Sequence, residues 1–165
     1  GVQTKPGQGT TFSIFMPALD PSAVAPAPAK AILPAAGVDG NGERILVVED
    51  EDGVREFALR ILTDHRYKVA AAATCEEART RMREEGPFAV LLSDVVLPDG
   101  NGIRLADELT AAQPGLPVLL CSAYSDEQAH SDIIQSRGYR FLSKPYPVAG
   151  LLRELNALLH RDPSS

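Results

Sequence analysis

From residue 44 onward, short continuous apolar runs alternate with stretches whose apolar positions recur at helical spacing. Ile45-Leu46-Val47-Val48 is too short for an ordinary helix and rich in β-branched side chains, the pattern of a strand buried on both faces. It ends in Glu49-Asp50-Glu51-Asp52, after which Val54, Phe57, Ala58, Ile61 and Leu62 mark a helix with Asp52 as its expected cap. Residues 67–72 read as a second strand. Thr74-Cys75-Glu76-Glu77 is a capping box that opens a helix running to about Glu85, where Gly86-Pro87 stops it. Ala89-Val90-Leu91-Leu92 is a third buried strand that places Asp94 at its end, before a Pro98-Asp99-Gly100-Asn101-Gly102 turn. A helix over residues 103–112, a strand at Val118-Leu119-Leu120-Cys121 and a capping box at Ser125-Asp126-Glu127-Gln128 follow. The box heads a helix to about Arg137, and residues 139–142 form the fifth strand. Val148, Leu151, Leu152, Leu155, Leu158 and Leu159 lie on one face of a last amphipathic helix.

Strands alternating with helices, the central strands apolar throughout, predict an α/β protein: a doubly wound five-stranded parallel sheet with helices on both faces. Right-handed crossovers leave few topologies, and the flavodoxin-like strand order 2-1-3-4-5 is the expected one. Residues 43–162 hold this pattern, followed by a tail at 163–165. Before it, residues 18–42 are rich in Pro and Ala and read as a semi-extended linker. Residues 1–17 contain a turn at 5–9 and one strand-like stretch over 10–16, which cannot fold alone. Gly7-Gln8-Gly9 is no dinucleotide fingerprint, because Phe12 stands where the last glycine belongs. The chain opens on Gly rather than Met, which suggests a fragment.

Composition narrows the function classes. Of 165 residues, 44% are hydrophobic and 23% charged, ordinary for a soluble domain, and a formal net charge of -6 makes nucleic acid a poor partner. No apolar run approaches the roughly 20 residues that span a bilayer. Cys75 and Cys121 lack metal-like or redox spacing and read as reduced thiols of a cytoplasmic protein. The two DGNG stretches, at 39–42 and 99–102, lack the acids of a calcium loop and read as turns.

The topology concentrates chemistry at one sheet edge. The first strand delivers Glu49 and Asp50, the third Asp94, the fourth Ser122, and the fifth leads into Ser143-Lys144-Pro145. Like charges about 4 Å apart repel by roughly 4 kcal/mol at an effective dielectric near 20, so three carboxylates need a cation or raised pKa values to persist. Oxygen-only ligands favour a hard ion, Mg²⁺ in the cytosol. A hydroxyl from Ser122 and an ammonium from Lys144 suit a tetrahedral anion. Carboxylate nucleophile, metal, hydroxyl and lysine are the parts that phosphoryl transfer requires. His65, His130 and His160 read as surface or helix residues outside this cluster.

The motifs VVED at 47–50, LLSDVVLPDGNG at 91–102, LLCSAY at 119–124 and FLSKPY at 141–146 fall in an order and spacing that resemble the receiver domain of two-component response regulators. The resemblance implies that Asp94 is the phosphoacceptor, and that Glu49, Asp50, Asp94 and the backbone carbonyl of Val96 hold Mg²⁺. Ser122 and Lys144 would bind the phosphoryl oxygens, and Phe141 would turn inward when Ser122 is drawn to the phosphate. The Lys144-Pro145 peptide is typically cis in such domains. Glu49 stands where many members have Asp, and Ser122 where Thr is commoner. Val96 and Tyr124 flank the acceptor at positions that influence water access, which implies slow self-dephosphorylation. PGQGTTFSIFMP at 6–17 resembles the last strand of the ATP-binding domain of sensor histidine kinases, which implies the carboxyl-terminal part of a hybrid kinase. The fragment itself would then be no enzyme but a phosphoacceptor. Its partners would be the histidine kinase domain and a histidine phosphotransfer protein, with output through the face made by the fourth helix, fifth strand and last helix. No DNA-binding domain is expected after the last helix.

Two further readings stand beside this one. A flavodoxin-type or non-phosphorylated docking module shares the fold, but the Glu49-Asp50-Glu51 loop would repel a flavin phosphate. A phosphatase with an Asp nucleophile after the first strand fits Asp50 and Asp52 loosely and leaves Asp94 without a role.

Overall fold

The structure, a computed structural model, describes residues 1–7, 9–13, 15, 39–123, 134 and 136–160. The chain divides into two units, Gly1–Leu33 and Pro34–Ser165, each taken by itself. In the first, β1 (Val2–Lys5) and β2 (Gly9–Phe12) pair antiparallel, with Val2 opposite Phe12 and Thr4 opposite Thr10. The single strand expected over 10–16 is thus corrected to a hairpin. Its first strand, Val2-Gln3-Thr4-Lys5, is exposed throughout and holds one strongly apolar residue, too few to be read from sequence. Gly7 and Gly9 take positive φ at the turn, which suits glycine.

The second unit is built on β3 (Arg44–Val48), β4 (Lys68–Ala72), β5 (Val90–Asp94), β8 (Val118–Ala123) and β9 (Arg140–Lys144). All neighbouring pairs are parallel and the order is β4-β3-β5-β8-β9. This is the expected 2-1-3-4-5 arrangement. A two-residue ribbon, β6 (Val96–Leu97) with β7 (Gly100–Asn101), closes the loop after β5.

Alternate residues of each strand feed opposite sides of the core. Ile45, Val47, Leu92 and Leu119 pack with Ala58, Ile61 and Leu62 of α1 (Asp52–Asp64) and Leu151, Leu152 and Leu155 of α4 (Val148–Leu159). Leu46, Val48, Leu91 and Leu120 pack with Ala78 of α2 (Cys75–Glu85) and Ile103, Ala106 and Leu109 of α3 (Gly102–Ala112). Burial on both faces explains why β3, β5 and β8 read as unbroken apolar runs.

The helix starts hold two results. Thr74 accepts from the Glu77 amide at 3.1 Å, while the Glu77 carboxylate reaches the Ala73 amide at 2.7 Å, one residue earlier than an ideal capping box. Asp52 does not cap α1: it is the first helical residue, and Glu51 holds the cap position without a side-chain bond. The helix expected to follow Ser125 lies outside the described residues, apart from Ile134, Ser136 and Arg137. Among the described residues, no helix is long and apolar enough to cross a membrane.

Candidate functional site

The strand register assembles the predicted edge. Val48 lies opposite Ser93, so the next residues, Glu49 and Asp94, emerge side by side. Asp94 in turn pairs with Cys121, Ser122 with Ser143, and Ala123 with Lys144. Each strand toward the β9 side thus delivers its functional residue about one step further along. One carboxylate oxygen each from Glu49, Asp50 and Asp94 lies within 4.8 Å of the others. Glu49 is buried, Asp94 partly buried and Asp50 exposed.

Lys144 bridges two of the three acids. Its Nζ donates to Oε2 of Glu49 at 2.5 Å and to Oδ2 of Asp94 at 2.7 Å. Burial raises the Glu49 carboxyl above its ordinary value, with Lys144 pulling the other way. Burial also opposes the Lys144 charge, but the bonds to Asp94 and Glu49 outweigh it and leave the ammonium pKa raised. Three oxygen donors without sulfur or imidazole are the donor chemistry of a hard divalent cation, and Asp50, open to solvent, leaves room for the waters such an ion keeps. The residues therefore fit Mg²⁺.

The loop after Asp94 is held by contacts that sequence did not reveal. The Val96 amide donates to Oδ1 of Asp94 at 3.3 Å, and the Gly102 amide to the Val95 carbonyl at 2.8 Å. A Cβ on Gly102 would stand 1.9 Å from the Asp94 carbonyl oxygen, so only glycine allows this approach. Asn101 caps α3 by accepting from Ile103 and Arg104, a role that Asn ahead of an apolar helical run could have signalled. Asp99 reaches across to α2 and accepts from the amides of Cys75 at 2.8 Å and Glu76 at 3.0 Å. Those backbone bonds hold the Asp99 carboxyl below its usual value. Nothing local in sequence points from Asp99 to a helix start more than twenty residues earlier.

The other predicted residues fall as follows. Ser122 is buried at 2% exposure, and Val96 is exposed. Phe141 is partly buried against the core on the α2/α3 side, opposite Leu120. The Lys144-Pro145 peptide is cis, as is Gly86-Pro87. His65 and His160 contact the carbonyls of Ile61 and Asn156 in their own helical turns and stand apart from the acids. His130 and Tyr124 lie outside the described residues. Both cysteines are buried thiols: burial and then Asp99 push Cys75 up to about 11, and burial pushes Cys121 up. Phe57, expected with the inward face of α1, is instead 48% exposed. With Val54, Lys144, Pro145 and Tyr146 it lines an open cavity of about 330 Å³ beside the acid cluster.

Residues 45–156 match the family model of the response regulator receiver domain. The sensor kinase CckA of Brucella abortus (strain 2308) is 33% identical over 162 residues, an alignment that takes in 94% of this chain but 17% of CckA. The response regulator receiver protein CpdR of the same organism is 32% identical over 117 residues, covering 71% of this chain and 97% of CpdR. A CheY-like response regulator receiver domain protein from Methanospirillum hungatei JF-1 shares the fold with a TM-score of 0.66 at 27% identity, over 72% of this chain and 94% of that one. The chain thus spans a small part of the kinase and nearly the whole of the receiver protein. With the parallel five-stranded sheet and the match across residues 45–156, the chain belongs to the response regulator receiver domain family, a phosphoacceptor module of phosphorelay signal transduction.

Proposed function

We propose that Asp94 is the phosphoacceptor of this receiver. The observation that carries the reading is the sharing of one ammonium, Lys144, between Asp94 and Glu49 at the carboxyl edge of the sheet, with Asp50 alongside. A carboxylate oxygen of Asp94 attacks the phosphorus of a phospho-histidine. The P–O bond forms as the P–N bond breaks, and the electron pair returns to the imidazole nitrogen. Lys144 then turns one N–H from the Asp94 carboxylate to a phosphoryl oxygen, and Ser122 supplies its hydroxyl. Glu49, Asp50, Asp94 and the Val96 carbonyl would hold Mg²⁺. When bound, the ion supplies neutralisation of the charge on the transferring group. Phe141, packed on the α2/α3 side of β9, would follow Ser122 as the switching aromatic, a population shift biased by the phosphoryl group.

The phosphoryl donor is a histidine kinase, and the acceptor of the next step a histidine phosphotransfer protein. The apolar surface of exposed Phe57 and Pro145 and partly exposed Val54 borders the site and offers such partners a dry contact. The alignment with CckA supports a hybrid-kinase parent. A share of 94% is too large to fit within residues 45–156, so the likeness extends into the stretch before Arg44. The residues 1–17 would then end an ATP-binding domain, and 18–42 would link it to the receiver at 43–162.

The experiment is transfer of label from a phosphotransfer protein carrying phospho-histidine to this chain. Transfer that requires Mg²⁺ and stops with EDTA is the expected result. A chain that takes no label under either condition is no relay receiver.

A further inference from the structure

The geometry points to Arg55 as a positioning residue that sets the shape of the acid cluster without touching the reacting atoms; this rests on the proposed role of Glu49, Asp50 and Asp94. Nη1 of Arg55 donates to the Glu49 carbonyl at 2.8 Å and to the Asp50 carbonyl at 3.2 Å. Nη2 forms an ion pair with Asp52. One guanidinium therefore ties down two consecutive peptide groups, those that follow Glu49 and Asp50.

Those two peptides govern where the carboxylates go. The Glu49 amide is already fixed to the Ala72 carbonyl at 3.1 Å, as the last rung of the β3–β4 ladder. With its carbonyl bonded as well, Glu49 is held on both sides of its backbone, which restricts the path by which Asp50 leaves the strand. The ordinary device for fixing a helix entry is absent here, because Glu51 makes no side-chain cap bond. Arg55 takes its place from inside the first turns of α1, and its side chain is only 20% exposed although Glu51, Asp52 and Gly53 are all exposed. The Asp52 carboxylate is 85% exposed, so that ion pair contributes little, and the tie rests on the carbonyl bonds.

Charge and positioning make opposite predictions for this arginine. Removing a cation from the backbone next to Glu49 and Asp50 would by itself tighten the binding of a divalent ion there. Loss of a group that orients the ligands weakens it, by roughly ten-fold for outer partners of metal ligands. The test is Mn²⁺ binding to the full chain, read from the electron paramagnetic resonance of free Mn²⁺, for wild type, Arg55→Gln and Arg55→Lys. Thermal unfolding in EDTA accompanies it. The expected result is Mn²⁺ affinity roughly ten-fold weaker in Arg55→Gln, with Arg55→Lys between that variant and wild type, because an ammonium keeps the charge and the donors but stands one bond short of Nη1 and lacks the planar group that aims them. Unchanged or tighter binding by folded Arg55→Gln overturns the inference. If Arg55→Gln does not fold, wild-type affinity in Arg55→Lys overturns it. A folded wild type that binds no Mn²⁺ overturns the metal-site reading itself, a separate outcome.

Discussion

Nζ of Lys144 and Oε2 of Glu49 meet at 2.5 Å across 95 residues of sequence, and the Glu49 side chain is only 7% exposed. The same ammonium reaches Asp94 at 2.7 Å, so Lys144 bridges the two acids. In Lys144→Ala the buried Glu49 carboxylate loses its partner while Asp94 and Asp50 stay close. Stability should fall by about 2 kcal/mol, the scale for stripping a partly buried charge of its partner. Urea denaturation at neutral pH in EDTA measures it, and an unchanged midpoint would show that the bridge does not hold in solution.

The pH dependence of metal-free protein carries a sign fixed by the same pair. Burial raises the Glu49 pKa despite Lys144, so the folded state holds its proton more tightly than the unfolded chain. That contribution is full below the ordinary carboxyl value of 4.5 and is lost as pH rises through the folded pKa. The Lys144 pKa is also raised, so its contribution is full below 10.5 and is lost as pH rises through the higher folded value. Thermal midpoints recorded against pH should therefore fall in an acid-side arm and an alkaline arm. Glu49→Gln abolishes the first and retains the second through Asp94; survival of the acid-side arm in that variant would assign it to another group.

Gly102→Ala is expected to be among the most damaging single-methyl changes in the chain. The new Cβ would meet the Asp94 carbonyl oxygen at 1.9 Å, a backbone atom that cannot swing aside. Relief requires the β5–α3 loop to move, at about 2–4 kcal/mol. Guanidinium unfolding reads the loss, and a value within experimental error of wild type would mean that this loop is not held against Asp94.

Asp99 ties the acceptor loop to α2 through the Cys75 and Glu76 amides. Its carboxyl is lowered by these bonds, so the stabilisation is present above the ordinary value of 3.8 and is lost as pH falls through the folded pKa. Asp99→Ala should lower the urea midpoint at neutral pH, while Asp99→Asn, which keeps an acceptor oxygen, should retain part of it. Equal loss in both variants would assign the effect to charge at the helix start rather than to the bonds.

The sheet and its order were legible because Ile45-Leu46-Val47-Val48, Val90-Leu91-Leu92 and Val118-Leu119-Leu120 are apolar without interruption, a pattern that burial on both faces imposes. The acid cluster was legible for a related reason: Glu49, Asp50 and Asp94 are charges set directly after such runs. What sequence could not give were particular contacts between backbone and side-chain groups. The tie of Arg55 to two carbonyls, the reach of Asp99 to α2 and the approach of Gly102 to Asp94 depend on where peptides sit, which composition and periodicity do not encode. Phe57 shows the limit of periodicity in the other direction. It keeps helical spacing with Ala58 and Ile61, yet it borders the functional edge rather than the core. The first strand of the hairpin is not legible because all four of its residues are exposed, so burial imposes no apolar face on them.

Intact-mass spectrometry after incubation with acetyl phosphate and Mg²⁺, wild type beside Asp94→Asn, tests the acceptor most directly. Addition of one phosphoryl group to wild type, and none to Asp94→Asn, is the expected result. Equal addition to both proteins, or to neither while both remain folded, would contradict Asp94 as the phosphoacceptor.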